Sequence, residues 1–416
     1  MLNPKTNERE LAYIVEIDDI KPIDGRDRVE CAVVGGWTVM VRKGQFKPGD
    51  LGIYFEIDSK VPVKEPFMFL EGKHFKIKTQ KYKTPNGQFW SQGLLMGAED
   101  FGWSLEGDHI SKPGASTRPN EYFIKGDFLT KELGVTYADA DDNSRKGKSS
   151  VDKYKKMAQR MGNKFSKQPY KWLMRRMWGK KLLFFFYGKK KDTKAWPEWV
   201  VKTDEERVQN IPWILEDSSW WFATEKIDGT STTFTMKGWK RKREYYICSR
   251  NVCFNTPEKM KSGAWYDTNV YQEMGIKYNM EYVLECLMTR FENTIGNVAF
   301  VTVQGETYGA GIQKRDYGMT DHDFMAFNVI VGFEDGTARR LNPREMHDVV
   351  AMEVPCVPIV DEHFIMPDTV EELLTIATDK SAIDGGMREG LVFRSADGTK
   401  SFKAVSNEFL MKYHNS

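Results

Sequence analysis

Trp220-Trp221-Phe222-Ala223-Thr224-Glu225-Lys226-Ile227-Asp228-Gly229-Thr230 is the stretch on which the reading of this chain turns. Its aromatic and apolar start reads as a strand, and Asp228-Gly229 reads as the turn that ends it. Such a strand presents the amine of Lys226 at the edge of a pocket. A neutral amine that attacks a nucleotide α-phosphorus forms a phosphoramidate, which stores the energy of the broken anhydride. The amine must first lose its proton, so burial, a second cation or a metal has to depress its pKa. Lys-x-Asp-Gly is short, however, and a charged β-turn satisfies it too. The surrounding sequence decides.

Four further strand-borne clusters follow in order. Tyr245-Tyr246-Ile247-Cys248-Ser249-Arg250 reads as the return strand of a hairpin. Val301-Thr302-Val303-Gln304-Gly305-Glu306-Thr307-Tyr308-Gly309 is a β-rich run bearing a carboxylate, and Phe324-Met325-Ala326-Phe327-Asn328-Val329 is an aromatic strand. Arg388 to Arg394 and Ser401 to Val405 read as a hairpin around Ala396-Asp397-Gly398-Thr399. In order and spacing these clusters resemble the covalent nucleotidyltransferase superfamily of ATP-dependent ligases and capping enzymes. The run from Gly305 to Lys314, followed by Asp316-Tyr317-Gly318, is similar to the nick-sealing RNA ligase branch. The resemblance covers about residues 210 to 416.

A chain of 416 residues exceeds the usual single core, so two domains and a linker are expected. The five cysteines (31, 248, 253, 286 and 356) have no CxxC spacing, which argues against zinc and for a reducing compartment. No secretory signal is visible, and no apolar run approaches the ~20 residues of a membrane span. The expectation is a soluble, intracellular, cytoplasmic protein that makes no membrane contact and acts as a monomer.

Residues 1–135 read as all-β, with short strands at 11–17, 29–34, 37–41 and 51–56. Gly35-Gly36 and Pro48-Gly49-Asp50 punctuate them, and the spacing suits a small closed barrel of the OB type. A barrel ahead of the lysine domain resembles Naegleria-type RNA ligases, whereas DNA ligases and capping enzymes carry theirs behind it. Only 13 residues follow Lys403, too few for a barrel there. The expected class is therefore α+β: an OB-like barrel, a basic aromatic and partly helical insert over 136–210, and over 211–416 a nucleotidyltransferase (ATP-grasp-like ligase) domain of antiparallel sheets with helices. Two of those helices are expected near Pro343 to Met352, capped by Asn342, and Thr369 to Ala382.

The net charge of +2 conceals an asymmetry. Residues 142–191 hold 17 Lys or Arg and 2 Asp or Glu, a charge of +15, which leaves −13 for the remainder. This tract interleaves cations with aromatic rings, the mixture that phosphate neutralisation and base stacking require. Lys171, Trp172, Arg175 and Arg176 are the candidate nucleic-acid contacts. Trp172 and Trp178 lie six residues apart, so one is expected to stack on bases and the other to pack on the body. The alternative is a solvated linker.

The resemblance implies a role for each motif residue. Lys226 is the AMP-accepting nucleophile, and Glu225, Ile227 and nearby backbone flank the adenine. Arg250 touches phosphates or ribose and adds a nucleic-acid contact. Glu306 accepts from the ribose or holds the lysine, Phe327 stacks on adenine, and Lys403 meets the α-phosphate. Glu389 is the metal carboxylate, with Mg²⁺ or Mn²⁺ favoured by oxygen ligands. Three positions depart from the pattern: Asn328 stands where a carboxylate is common, Arg394 replaces lysine, and no second lysine lies two residues beyond Lys403. Either Lys400 or a group from the barrel substitutes for it, or one phosphate contact is missing. The implied function is ATP-dependent RNA ligation of 3′-OH and 5′-phosphate ends, free or at a nick in a duplex, through lysyl-AMP and an adenylylated 5′ end. A polynucleotide ligase acting mainly on DNA and a catalytically idle nucleic-acid-binding protein are the alternatives.

Overall fold

The computed structural model describes residues 1–6, 8–85, 87–114, 120–138, 170–176, 178–179, 181–183, 193–194, 196–202, 204–238, 242–254 and 269–413. Its N-terminal part is a small barrel. Ala12–Glu16, Leu51–Phe55 and Leu94–Met96 pair antiparallel, as do Asp19–Pro22, Val29–Val34 and Trp37–Arg42. Trp37–Arg42 alternates buried and partly exposed residues, the period-2 pattern of a strand with one face in the core. The expected strand runs are all present.

Beyond residue 205 two sheets dominate. Five strands run in the order Glu206–Arg207, Ser401–Val405, Gly390–Ser395, Trp221–Lys226 and Ile359–Phe364. Seven strands centred on Thr230–Lys237, Val298–Gly309 and His322–Phe333 form the other sheet. All neighbours are antiparallel except Glu206–Arg207, which pairs parallel to Ser401–Val405 and so departs from the wholly antiparallel expectation. The chain passes directly from one sheet to the other at Ile227-Asp228-Gly229. Gly229 is required by that crossing, because a Cβ there would lie 2.3 Å from the Thr307 carbonyl oxygen.

Helices cover the seven-stranded sheet. In Met280–Thr294 the buried residues Met280, Val283, Leu284, Leu287, Met288 and Phe291 repeat at helical spacing and meet Phe234, Val301 and Val329 in the largest core. Asn342 caps Pro343–Val350, accepting from the Glu345 backbone N–H at 2.9 Å while the Glu345 carboxylate accepts from Asn342 N–H at 3.0 Å. Val370–Ala377 packs on the five-stranded sheet and is capped by Thr369, ending five residues before the expected Ala382. No described helix is long and apolar enough to cross a membrane.

Candidate active site

Lys226 ends the strand Trp221–Lys226, whose first five residues are buried. Its side chain, 24% exposed, projects into a cavity of about 380 Å³ at the crossing between the two sheets. Both Glu389 carboxylate oxygens lie 2.7 Å from Lys226 Nζ. Burial favours the neutral amine, but Glu389, Glu306 and Asp228 together outweigh it, and the Lys226 pKa stands above its ordinary value. Beside these carboxylates the amine is held as an ammonium.

Glu306 reaches the cavity from the neighbouring sheet. Burial, opposed by Lys226 and reinforced by Glu389 and Asp228, raises its pKa to about 8. Lys403 enters from Ser401–Val405; burial and the Lys226 charge lower its pKa. Arg250 donates to Asp204 at 2.7 Å, and Lys403 Nζ lies 3.9 Å from the same residue. One carboxylate therefore faces two of the cavity's cations. Ile227 and Val357 belong to a small apolar cluster against which Phe327 packs, and all three line the cavity.

Every predicted nucleotide or metal residue lines this one cavity: Glu225, Lys226, Ile227, Arg250, Glu306, Phe327, Glu389 and Lys403. Glu225 nevertheless turns its carboxylate elsewhere. It accepts from Ser381 Oγ and, at 2.7 Å, from Ala382 N–H, so it pins the loop that precedes Glu389.

Residues 219–414 match the family model described as RNA ligase, and residues 11–97 match an OB-fold domain model. Structures of Naegleria gruberi RNA ligase are similar over nearly the whole chain. A lysine-to-methionine mutant with AMP and Mn, and a glutamate-to-alanine mutant with ATP and Mn, each superpose with TM-score 0.59 at 25% identity. The enzyme with PPi gives 0.57 at 26% identity; all three alignments cover 98% of this chain and 100% of the other. Residues 219–414 form a domain of the RNA ligase family. No curated protein matches it.

In this chain the first two departures from the motif pattern are one buried unit. Arg394 Nε donates to Asn328 Oδ1 at 3.1 Å, Nη1 donates to Thr224 Oγ1 at 3.2 Å, and Nη2 lies 3.6 Å from Glu205. Burial lowers the Arg394 pKa to about 10, with Glu205 opposing. Lys400 does not substitute for the missing lysine: its ammonium donates to Asp217 at 2.9 Å and it is not among the cavity-lining residues. The residue beside Lys403 is Arg207, its register partner across the parallel pair, and the Arg207 charge is felt at Lys403. Arg207, Asp204, Glu205 and Asp228 were not singled out from sequence. Only Asp228 carried a signal there, as part of Lys-x-Asp-Gly.

The tract over 142–191 lies mostly outside the described residues, as does the Lys171 side chain. Tyr170–Met174 is helical. Trp172 and Trp178 are 45% and 52% exposed, and their rings meet edge-on with centroids 5.6 Å apart. Neither is buried against the body, contrary to the expectation for one of them; the two rings meet each other instead. Arg176 lies 4.4 Å over the Trp172 ring, and Arg175 is exposed.

Among the described residues no three His, Cys, Asp or Glu side chains cluster as a metal cage. The fit for a divalent cation rests on Glu389, an oxygen donor in a cavity that Lys226, Arg250 and Lys403 also line. That is how Mg²⁺ is usually held, by one or two carboxylates plus substrate oxygens.

Proposed function

We propose that this ATP-dependent RNA ligase joins 3′-OH and 5′-phosphate RNA ends, free or at a nick, through a lysyl-AMP intermediate on Lys226. The observation that carries this reading is the convergence of Lys226, Arg250, Glu306, Phe327, Glu389 and Lys403, from separate strands and loops, on one nucleotide-sized cavity. Lys226 Nζ attacks the α-phosphorus of ATP; the P–N bond forms and the anhydride bond to pyrophosphate breaks. AMP then passes to a 5′-phosphate oxygen, and a 3′-hydroxyl displaces AMP to close the phosphodiester.

Residues of the chain align and neutralise the reacting phosphates. Ile227, Val357 and Phe327 form the apolar slot for adenine, and Glu306 faces the ribose side. Lys403 and Arg250 take phosphate oxygens once Asp204 yields them, and Arg207 supplies the second cation beside Lys403. Glu389 holds Lys226 protonated until its own charge is cancelled. Mg²⁺ or Mn²⁺ on Glu389 would cancel that charge and screen the triphosphate. Lys171, Trp172, Arg175 and Arg176 contribute to RNA binding outside the cavity.

Incubation with α-labelled ATP and metal, followed by denaturing electrophoresis, tests the covalent step. Lys226→Met and Lys226→Arg are both expected to abolish labelling, since a guanidinium stays protonated. Persistent label on either variant would place the nucleophile elsewhere.

A further inference from the structure

The sequence from Lys73 to Thr84 contains Lys73, Lys76, Lys78, Lys81 and Lys83 and no Asp or Glu. It lies on the barrel, far in sequence from the cationic tract and from every nucleotide motif. Phe75 and Ile77 alternate into the barrel core, which turns Lys76 and Lys78 outward. The chain then forms a hairpin of Gln80–Thr84 with Gly87–Ser91, in which Lys81 faces Trp90 and Lys83 faces Gln88. Cross-strand partners share a face, so two lysines, an indole and an amide stand together.

This face carries specific recognition chemistry beyond its charge. Lys81 Nζ lies 4.3 Å over the Trp90 ring. Gln88 Oε1 and Trp90 Nε1, an acceptor and a donor, are buried without a hydrogen-bond partner among the described residues. Next to them a cleft of about 250 Å³ separates Phe89 and Trp90 from Leu410 and Met411. Those last two residues belong to the helix Asn407–Tyr413, which follows directly on the Lys403 strand. The cleft is thus one element away from the catalytic cavity.

We propose that this hairpin is a second RNA-binding surface that takes a single-stranded segment of the substrate. Lys78, Lys81 and Lys83 contact phosphates, and one unstacked base enters the cleft against Trp90. The proposal rests on the ligase reading for its biological partner. Single-stranded RNA is favoured over duplex because an A-form helix keeps its bases stacked and offers them to no cleft, whereas aromatic platforms beside cations suit single strands.

The test uses the full chain and a fluorescent single-stranded RNA oligonucleotide, with affinity measured across a salt series. Replacing Lys78, Lys81 and Lys83 together by Glu is expected to weaken binding at least about tenfold at 0.1 M salt. It should also flatten the log–log salt slope by about 2, at about 0.7 per lost phosphate contact. Lys81→Gln with Lys83→Gln should give a proportionate part of that change. Trp90→Ala is expected to cost roughly 5- to 100-fold in affinity with the slope retained. Unchanged affinity and slope in the lysine variants would overturn the surface. A blunt RNA duplex that binds as tightly and loses as much on Trp90→Ala would overturn the single-strand assignment. Labelling of Lys226 by ATP is followed in parallel: its retention in the variants shows that they fold, and its failure in the parent protein would sink the ligase reading while leaving the binding result intact.

Discussion

Lys226 and Glu389 oppose each other chemically, since the carboxylate that positions the amine also keeps it protonated. Glu389→Gln removes that negative charge, so the Lys226 pKa should fall. In ATP-free and metal-free protein this is read as faster acylation of Lys226 by an amine reagent at pH 8, located by peptide mapping. A slower or unchanged rate would show that Glu389 does not control the proton. Glu306 gives a pH signature of stability. Burial raises its pKa from 4.5 to about 8, so between those values the folded chain keeps a proton that the unfolded chain releases. Stability from this group is fully present below about pH 4.5 and is lost as pH rises through 8, by at most about 1.4 kcal/mol per unit. Glu306→Gln should therefore lose less thermal stability than the parent between pH 5 and 8; parallel melting curves for the two would refute the assignment.

Paired elements carry the scaffold around these residues, and the strand Gly390–Ser395 is the most exacting. Its buried Arg394 joins Asn328, Thr224 and Glu205, which lie on three separate segments. Arg394→Met should cost about 3 kcal/mol in urea unfolding, because it removes a buried cation beside the largely buried Glu205 carboxylate and takes the arginine donor from Asn328 Oδ1 and Thr224 Oγ1. Adding Asn328→Leu should cost less than the sum of the two single changes; strict additivity would mean the pair is not coupled. At the helix Pro343–Val350, Asn342→Ala should cost roughly 1 kcal/mol or more. The same side chain also donates to the Ala396 carbonyl at 3.1 Å and so ties the cap to the neighbouring hairpin turn. A loss within measurement error would assign the helix start to tertiary packing instead.

Across the whole molecule, the barrel and the ligase domain meet at a glycine. Gly36 has φ +79°, and a Cβ there would lie 2.8 Å from Val370 Cγ1 and 2.9 Å from Leu374 Cδ1. The backbone N–H of Leu2 donates to the Asn210 carbonyl at 2.8 Å on the same junction. Gly36→Val combines an unfavourable backbone conformation with overpacking, so about 1–3 kcal/mol of destabilisation is expected. Hydrogen exchange over 370–377 should quicken as the barrel is displaced. Unchanged exchange there would mean the contact is not maintained in solution.

Much of this architecture was legible in the sequence because its signals are local. Alternating apolar strands, the Asp228-Gly229 turn and the Asn342 cap depend on residues within a few positions of one another. The helices Val270–Lys277 and Met280–Thr294 were passed over, although the spacing of Met280, Val283, Leu284, Leu287, Met288 and Phe291 already encoded one of them. Other features follow from contacts between distant residues. Glu225 looked like a base neighbour until the loop at Ser381 and Ala382 captured its carboxylate. Asn328 and Arg394 looked like two separate losses, yet they form one hydrogen bond across 66 residues. Arg207 gains its place only because a two-residue strand pairs parallel to the Lys403 strand. Sequence spacing pointed to the side chains that line the cavity, since each sits in a short motif with its own turn or strand. Their partners, and hence their charge states, were set by folding, because electrostatic coupling depends on distance through space and not along the chain.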